Sequence, residues 1–164
     1  MAKPIGIIGP TKLELTEELK KVCKDVSGIL VKKKYSVLLN PTLGSTVEFF
    51  GKEFKNQDGK VEGIVFDDNT GGYPLQNRGI CDSFLHCITW ENQPRDLVRN
   101  SGHLVVLGFS IGTTWEICMT KFYWGDKQGK VFIMKETMKE RLPKYMEELL
   151  PIIYVTSEEL GGYL

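Results

Sequence analysis

The sequence lacks several features that would assign a protein to a class at once. It has no run of about 18 apolar residues, so no membrane span is expected. The apolar stretch at its N-terminus is far too short for a secretory signal peptide, so the cytoplasm is the expected compartment. Lysine plus arginine and aspartate plus glutamate number 21 each, which leaves no basic excess for a nucleic-acid partner. A net charge of zero gives little repulsion between copies and permits self-association.

The cysteines do not form a recognisable metal site. Cys23, Cys81, Cys87 and Cys118 are scattered, and although His86 lies near two of them, no C-x-x-C pair completes a zinc-binding pattern. We therefore expect buried, reduced thiols and no metal.

Strand-like and helix-like segments alternate along all 164 residues. Short apolar runs predict strands over residues 4–9, 35–40, 60–66, 83–89, 103–107, 130–135 and 151–156. Helical spacing of apolar residues predicts helices over residues 15–30, 45–54, 94–100, 113–124 and 139–150, with a further helix start near residue 157. Residues 67–79 are polar and glycine-rich, which is typical of a loop. This order predicts one domain, residues 1–164, with a three-layer α/β/α Rossmann-like fold and a mainly parallel sheet of six to seven strands.

The stretch GFSIGTTWE (108–116) lies between a predicted strand and a predicted helix, and it permits two interpretations. In the first, G-x-S-x-G presents Ser110 as a nucleophile. A nucleophilic serine needs a histidine base, and in the hydrolase order that base follows the serine. Both histidines, His86 and His103, precede Ser110, so a serine hydrolase is not expected.

The second interpretation is an anion-binding turn. Gly108 and Gly112 let the backbone approach a ligand, and Thr113 and Thr114 can cap the helix or donate hydroxyl hydrogen bonds. The free N–H groups of a first helical turn favour a phosphate. Glu116 has two explanations that the residues alone leave open: it stabilises the helix N-terminus, or it accepts hydrogen bonds from a ribose diol.

The same stretch resembles the G-G-x-G-T-x-x-E motif of the LOG-like Rossmann superfamily, once labelled possible lysine decarboxylases. Gly112, Thr113 and Glu116 match the motif, and Ser110 stands where the family usually has its second glycine. The likeness extends to PIGIIGP (4–10), to the segment from 40 to 64, and to TWENQPRDLVRNSGHLVVL (89–107). The superfamily includes cytokinin-activating phosphoribohydrolases and molybdenum-cofactor carrier proteins, and this chain is closest to the short carrier-like branch.

The resemblance implies a site and two functions. In the phosphoribohydrolases, Glu116 and Arg95 would flank the anomeric carbon of a nucleoside 5′-monophosphate; in a carrier or sensor the same loop would only bind. The residues that the resemblance implies for ligand or phosphate binding are Gly9, Gly44, Ser45, Thr46, Asn77, Arg99, Gly108, Ser110, Gly112, Thr113 and Thr114. The expected ligand is a nucleotide or a phosphorylated pterin, with no required cofactor, and the expected assembly is a homodimer.

Two departures from the family pattern bear on the choice between these functions. Pro41 has no N–H to donate, which weakens a backbone cradle in the second loop. Phe109 and Ser110 replace the usual glycine pair. We therefore favour binding over phosphoribohydrolase activity, and true lysine decarboxylase activity is not expected. A third alternative is a scaffold that retains only the fold and self-associates through aromatic side chains, namely Trp90, Trp115, Tyr123 and Trp124.

Overall fold

The computed structural model describes residues 3–11, 14–66, 75–125, 129–138 and 140–164. Its strands are β1 (Ile5–Ile8), β2 (Val37–Leu39), β3 (Val61–Val65), β4 (Ser83–His86), β5 (His103–Val106), β6 (Val131–Met134) and β7 (Ile152–Val155). They form one sheet in the order β4-β3-β2-β1-β5-β6-β7, and every neighbouring pair is parallel. The predicted α/β Rossmann-like fold with a parallel sheet is confirmed.

The helices that connect or follow the strands are α1 (Glu17–Lys32), α2 (Thr46–Lys55), α3 (Gln93–Asn100), α4 (Ile111–Tyr123), α5 (Lys144–Leu149) and α6 (Ser157–Tyr163). Short 3-10 helices lie at Arg78–Ile80, Trp90–Asn92 and Lys135–Thr137. None of the helices in the described ranges is long and apolar enough to cross a membrane.

The sheet separates two apolar cores. Successive strand residues point to opposite faces, so Ile5 and Ile7 of β1 pack with α1, α2 and α6, whereas Ile8 packs on the other side with residues of α3 and α4. All four residues of β1 and of β6 are buried. This burial on both faces explains why these strands read as continuous apolar runs rather than alternating ones.

Two predictions about element length need correction, and a third prediction lies partly outside the described residues. The helix expected over 139–150 is only six residues long, because Pro143 cannot occupy a helix interior and stands just before α5. The strand expected over 83–89 ends at His86, where its partner strand also ends at Val65. The loop expected over 67–79 is described only from residue 75; residues 67–74 lie outside the described residues.

Candidate functional site at the carboxyl edge of the sheet

A cavity of about 360 Å³ opens at the carboxyl ends of β1, β2 and β5. The strand order reverses between β1 and β5, which is where open parallel sheets bind their ligands. Six of the predicted site residues line the cavity: Gly9, Ser45, Ser110, Gly112, Thr113 and Glu116. The other seven are not among the described residues that line it: Gly44, Thr46, Asn77, Arg95, Arg99, Gly108 and Thr114. The fold thus brings about half of the predicted site residues together around this cavity.

The motif 108–116 begins helix α4 two residues earlier than the sequence predicts, because Ser110 is its N-cap. The Ser110 hydroxyl accepts from the Thr113 N–H at 3.2 Å, and the Thr113 hydroxyl accepts from the Ser110 N–H at 2.6 Å. The Thr114 hydroxyl donates to the Ser110 carbonyl at 3.0 Å. These threonines therefore serve the helix end, as one of the two predicted roles requires, and Ser110 acts as a cap rather than as a nucleophile.

The first turn of α4 keeps two backbone donors for a ligand. Among the described residues no acceptor is bonded to the N–H groups of Ile111 and Gly112. A Cβ added at Gly112 would meet only the Ser110 hydroxyl, at 3.6 Å, so the helix does not need a glycine there for space.

Charge at the helix ends distinguishes α4 from its neighbours. Each of the other five described helices has a glutamate or an aspartate in its first turn, and α4 has none. A first-turn carboxylate occupies the position that an anionic ligand would take, and it repels that ligand. The N-terminus of α4 is therefore the helix end at this edge of the sheet that can accept an anion.

Glu116 lies in the second turn of α4 and not in the first, because the helix begins at Ile111. Its carboxyl faces the cavity and, within the described part of the chain, has no hydrogen bond or ion pair. Burial away from bulk water raises its pKa to about 8, from a usual value of 4.5. At neutral pH the side chain is therefore mostly an uncharged acid, which can both donate and accept a hydrogen bond.

Two further polar side chains of the cavity lack partners, and neither was predicted from the sequence. Thr42 is 1% exposed and its hydroxyl has no hydrogen bond among the described residues; Gln93 is 3% exposed and its amide nitrogen has none either. The available signal was their position, since Thr42 lies in the loop after β2 and Gln93 begins α3, and polar residues at strand ends and helix starts gather at this edge. A buried polar group without a partner in the protein is a candidate for bonding a ligand or ordered water.

The second loop, 40–46, binds a carboxylate of the protein itself, that of Glu48. Gly44, at φ +75°, adopts the left-handed conformation before α2, and its N–H donates to the Glu48 carboxylate at 2.7 Å. The Asn77 amide donates to the same carboxylate at 2.6 Å, and Lys52 pairs with it at 2.8 Å. Burial raises the pKa of Glu48, but these hydrogen bonds outweigh it and hold the pKa below its usual range. The Gly44 N–H and the Asn77 amide are thus already hydrogen-bonded to Glu48.

The remaining predicted residues have local partners. Arg95 pairs with Asp96 at 2.8 Å, and the exposed Arg99 has a backbone carbonyl that accepts from Lys3 at 2.7 Å. The buried Thr46 donates its backbone N–H to the Pro10 carbonyl at 3.3 Å. Gly108 and Thr114 line a larger neighbouring cavity of about 1180 Å³, which shares Ser110, Ile111 and Trp115 with the first one.

A serine triad and a metal centre find no support in the described residues. His103 stands at the opposite end of β5 from Ser110 and accepts from the Lys130 N–H at 3.1 Å, while His86 lies on the edge strand β4. No group of three or more potential metal ligands occurs in the described ranges. All four cysteines are free thiols, two of them buried and two half-buried, and burial raises the pKa of Cys23 to about 12.

These observations define an α/β protein with a parallel sheet whose order reverses beside a polar cavity. No model of a known protein family matches the sequence, and no curated protein does. Solved structures do match. The molybdenum cofactor carrier protein MCP from Chlamydomonas reinhardtii superposes with a TM-score of 0.77 at 14% identity, covering 99% of this chain and 96% of that one.

Two other structures agree with it. The molybdenum cofactor binding protein from the phototrophic bacterium Rippkaea orientalis has a TM-score of 0.74 at 17% identity, over 99% of this chain and 96% of that one. TM1055, a structural genomics target, has a TM-score of 0.75 at 19% identity, over 98% and 97%. At such identities the likeness demonstrates a shared fold over nearly the full length of each chain.

Proposed function

We propose that this protein belongs to the carrier-like branch of the LOG-like superfamily and binds a phosphorylated small molecule, of the pterin or nucleotide class, as a carrier or sensor. The observation that carries the proposal is the cavity itself, where Thr42, Gln93 and Glu116 have no protein partner among the described residues. Buried polar groups are normally bonded, so a cavity lined by the unbonded Thr42 and Gln93 side chains together with the unpaired Glu116 carboxyl is suited to a ligand. The carrier fold of the structural neighbours supports the same choice.

The phosphate would lie against the first turn of α4. The N–H groups of Ile111 and Gly112 have no acceptor there among the described residues, and the helix dipole favours negative charge. No lysine or arginine lines the cavity among the described residues. Lys12, which follows Thr11 in the sequence, lies outside the described residues. Backbone donors would therefore supply much of the phosphate affinity.

The ring system would occupy the body of the cavity. Its volume of about 360 Å³ is at the small end of the range for ligand sites and suits one bicyclic ring with a short phosphorylated side chain. Trp90 and Trp115 contribute aromatic lining on which a flat ring can stack. In a molybdenum cofactor the metal would travel as cargo, and this chain would hold the pterin and its phosphate.

Phosphoribohydrolase activity is the second candidate, favoured by a carboxyl group, Glu116, beside a phosphate-binding turn. Its weakness is Arg95, the expected partner, which pairs with Asp96 and is not among the described lining residues. Incubation with AMP and with N6-substituted adenosine monophosphates tests this candidate. Release of free base, lost in Glu116→Ala, would establish it in place of a carrier.

Native mass spectrometry of the purified protein tests the binding proposal most directly, since a carrier retains its ligand. Thermal-shift titrations with inorganic phosphate, GMP, AMP and neopterin monophosphate complement it. We expect at least one phosphorylated ring compound to raise the Tm, and Gly112→Ala with Glu116→Ala to abolish the rise. Glu91→Gln, an exposed glutamate outside the cavity, is the matched control. No retained molecule and no thermal shift would refute the proposal.

We also propose that the single domain 1–164 forms a homodimer through α4 and resides in the cytoplasm. Ile111 is 93% exposed and Phe122 is 77% exposed, and the partly exposed Trp115 lies between them on the same helix face. Spacings of four and seven residues place these three in one stripe. Trp124, by contrast, is buried in the core. A contiguous stripe of exposed apolar side chains is typical of an association surface.

A further inference from the structure

Gln93 offers a hydrogen-bond donor to the cavity. It is the first residue of α3, its side chain is almost completely buried, and its amide nitrogen has no acceptor among the described residues. An unbonded buried donor is unfavourable, so a carbonyl oxygen on the ligand would relieve it.

Glu116 offers acceptors to the same cavity. Helix α4 packs against α3, as the hydrogen bond from the Trp124 indole N–H to the Val98 carbonyl at 2.9 Å illustrates, and both Glu116 and Gln93 line the cavity. Burial raises the pKa of Glu116 to about 8. Two N–H groups on a ligand would each donate to the carboxylate and so favour its ionised form.

Other charges near Glu116 are already paired or lie outside the cavity. On α3, Arg95 and Asp96 form an ion pair at 2.8 Å, and Arg99 is exposed. On α4 itself Lys121 is exposed, and neither it nor any charged side chain other than Glu116 lines the cavity in the described part of the chain. The protonation of Glu116 is therefore free to respond to the ligand.

We propose that Gln93 and Glu116 together recognise the 2-amino-4-oxopyrimidine edge, a hydrogen-bonding pattern shared by guanine and pterin rings. The ring carbonyl accepts from Gln93, and the ring N–H and the exocyclic amino group donate to Glu116. Adenine presents the opposite pattern, and hypoxanthine lacks the amino group. The proposal deepens the proposed function and rests on a ligand occupying this cavity.

Isothermal titration of the intact protein with GMP, IMP, AMP and neopterin monophosphate tests the proposal. We expect GMP or neopterin monophosphate to bind about tenfold more tightly than IMP, which lacks one donor, and far more tightly than AMP. Tighter binding of neopterin monophosphate than of GMP would identify a pterin as the class of ligand. Tighter binding of GMP would identify a guanine nucleotide. Glu116→Gln should bring the GMP-to-IMP ratio close to one, whereas Glu91→Gln should leave it unchanged.

Proton release provides a readout that a purely structural role of Glu116 would not affect. Below the pKa of the free site, binding converts the acid to a carboxylate, so affinity for GMP should rise by up to about tenfold per unit as the pH increases toward about 8. Between about pH 7 and pH 8, where the ligand phosphate with its second pKa of about 6 is already ionised, the affinity of Glu116→Gln should not depend on pH. If this variant does not fold, Gln93→Ala replaces it, and it should weaken GMP and IMP alike.

The outcomes separate this inference from the function on which it rests. Equal affinity for AMP, IMP and GMP, or GMP binding without proton release, would overturn the recognition of this edge while leaving a phosphate-ligand carrier intact. Binding of none of the probes would overturn both.

Discussion

Replacing Glu116 with glutamine should stabilise the free protein, and the gain should grow with pH. The carboxyl has a pKa of about 8 in the folded chain and of about 4.5 when unfolded. Because the folded-state pKa is raised, the unfolded chain ionises first, and the folded state loses stability as the pH rises from about 4.5 to about 8. One pKa unit corresponds to about 1.4 kcal/mol, so by pH 7 the cost reaches about 3 kcal/mol. Glutamine fills the same space and does not ionise.

The assay is urea denaturation of wild type and Glu116→Gln at a series of pH values from about 5 to about 8. The difference in unfolding free energy between the two proteins should increase by about 1.4 kcal/mol per pH unit, since contributions from all other groups cancel. Glu91→Gln, at an exposed position, should give a flat difference. If the difference in unfolding free energy between wild type and Glu116→Gln also stayed constant with pH, the Glu116 carboxyl would be well solvated or paired. It would then not be the buried, unpaired acid described above.

Three further changes test other parts of the site. Gly112→Ala should stabilise α4 by about 0.5 kcal/mol in thermal denaturation. It should weaken binding of phosphorylated probes, because it adds a methyl group to the cavity wall beside the first-turn N–H groups; unchanged binding would place the phosphate elsewhere. Glu48→Gln should cost about 2 kcal/mol near neutral pH, because the bonds to Lys52 and the Gly44 N–H weaken. Since the pKa of Glu48 is lowered in the fold, its contribution is present above about pH 4.5 and lost below, so that cost should shrink in acid; a cost that persists there would contradict this. Phe122→Glu should convert a dimer to a monomer in sedimentation velocity with the fold intact by circular dichroism, whereas an unchanged sedimentation coefficient would exclude the α4 stripe as the interface.

The sequence was sufficient to predict the fold because its signals are local. Apolar runs such as 103–107 and the helical spacing from Leu15 to Leu30 each identify one element, and their alternation requires a parallel sheet. The motif 108–116 was equally readable as a strand-to-helix turn. The start of α4 was less accessible, because Ser110 and Thr113 cap each other, and such reciprocal bonds are visible only in three dimensions.

The residues that line the cavity could be predicted only in part, because several of them are distant from one another in the sequence. Gln93 and Thr42 belong to the cavity because the start of α3 and the loop after β2 meet there, and neither residue stands in a motif. The engagement of Asn77 with Glu48 joins residues 29 positions apart, so no local pattern could reveal it. Predicted residues that lie away from the cavity, such as Arg95, were placed by resemblance alone.

The carboxylate of Glu48 determines whether the N-terminus of α2 is open to a negatively charged ligand group. It sits at the start of α2, where it takes the Gly44 N–H that an incoming anion would otherwise use. A negatively charged group that approached this helix end would have to expel Glu48 against its bonds to Lys52 and Asn77. If the cavity binds a phosphate, as proposed above, we therefore expect the phosphate to lie at the N-terminus of α4 and not at that of α2.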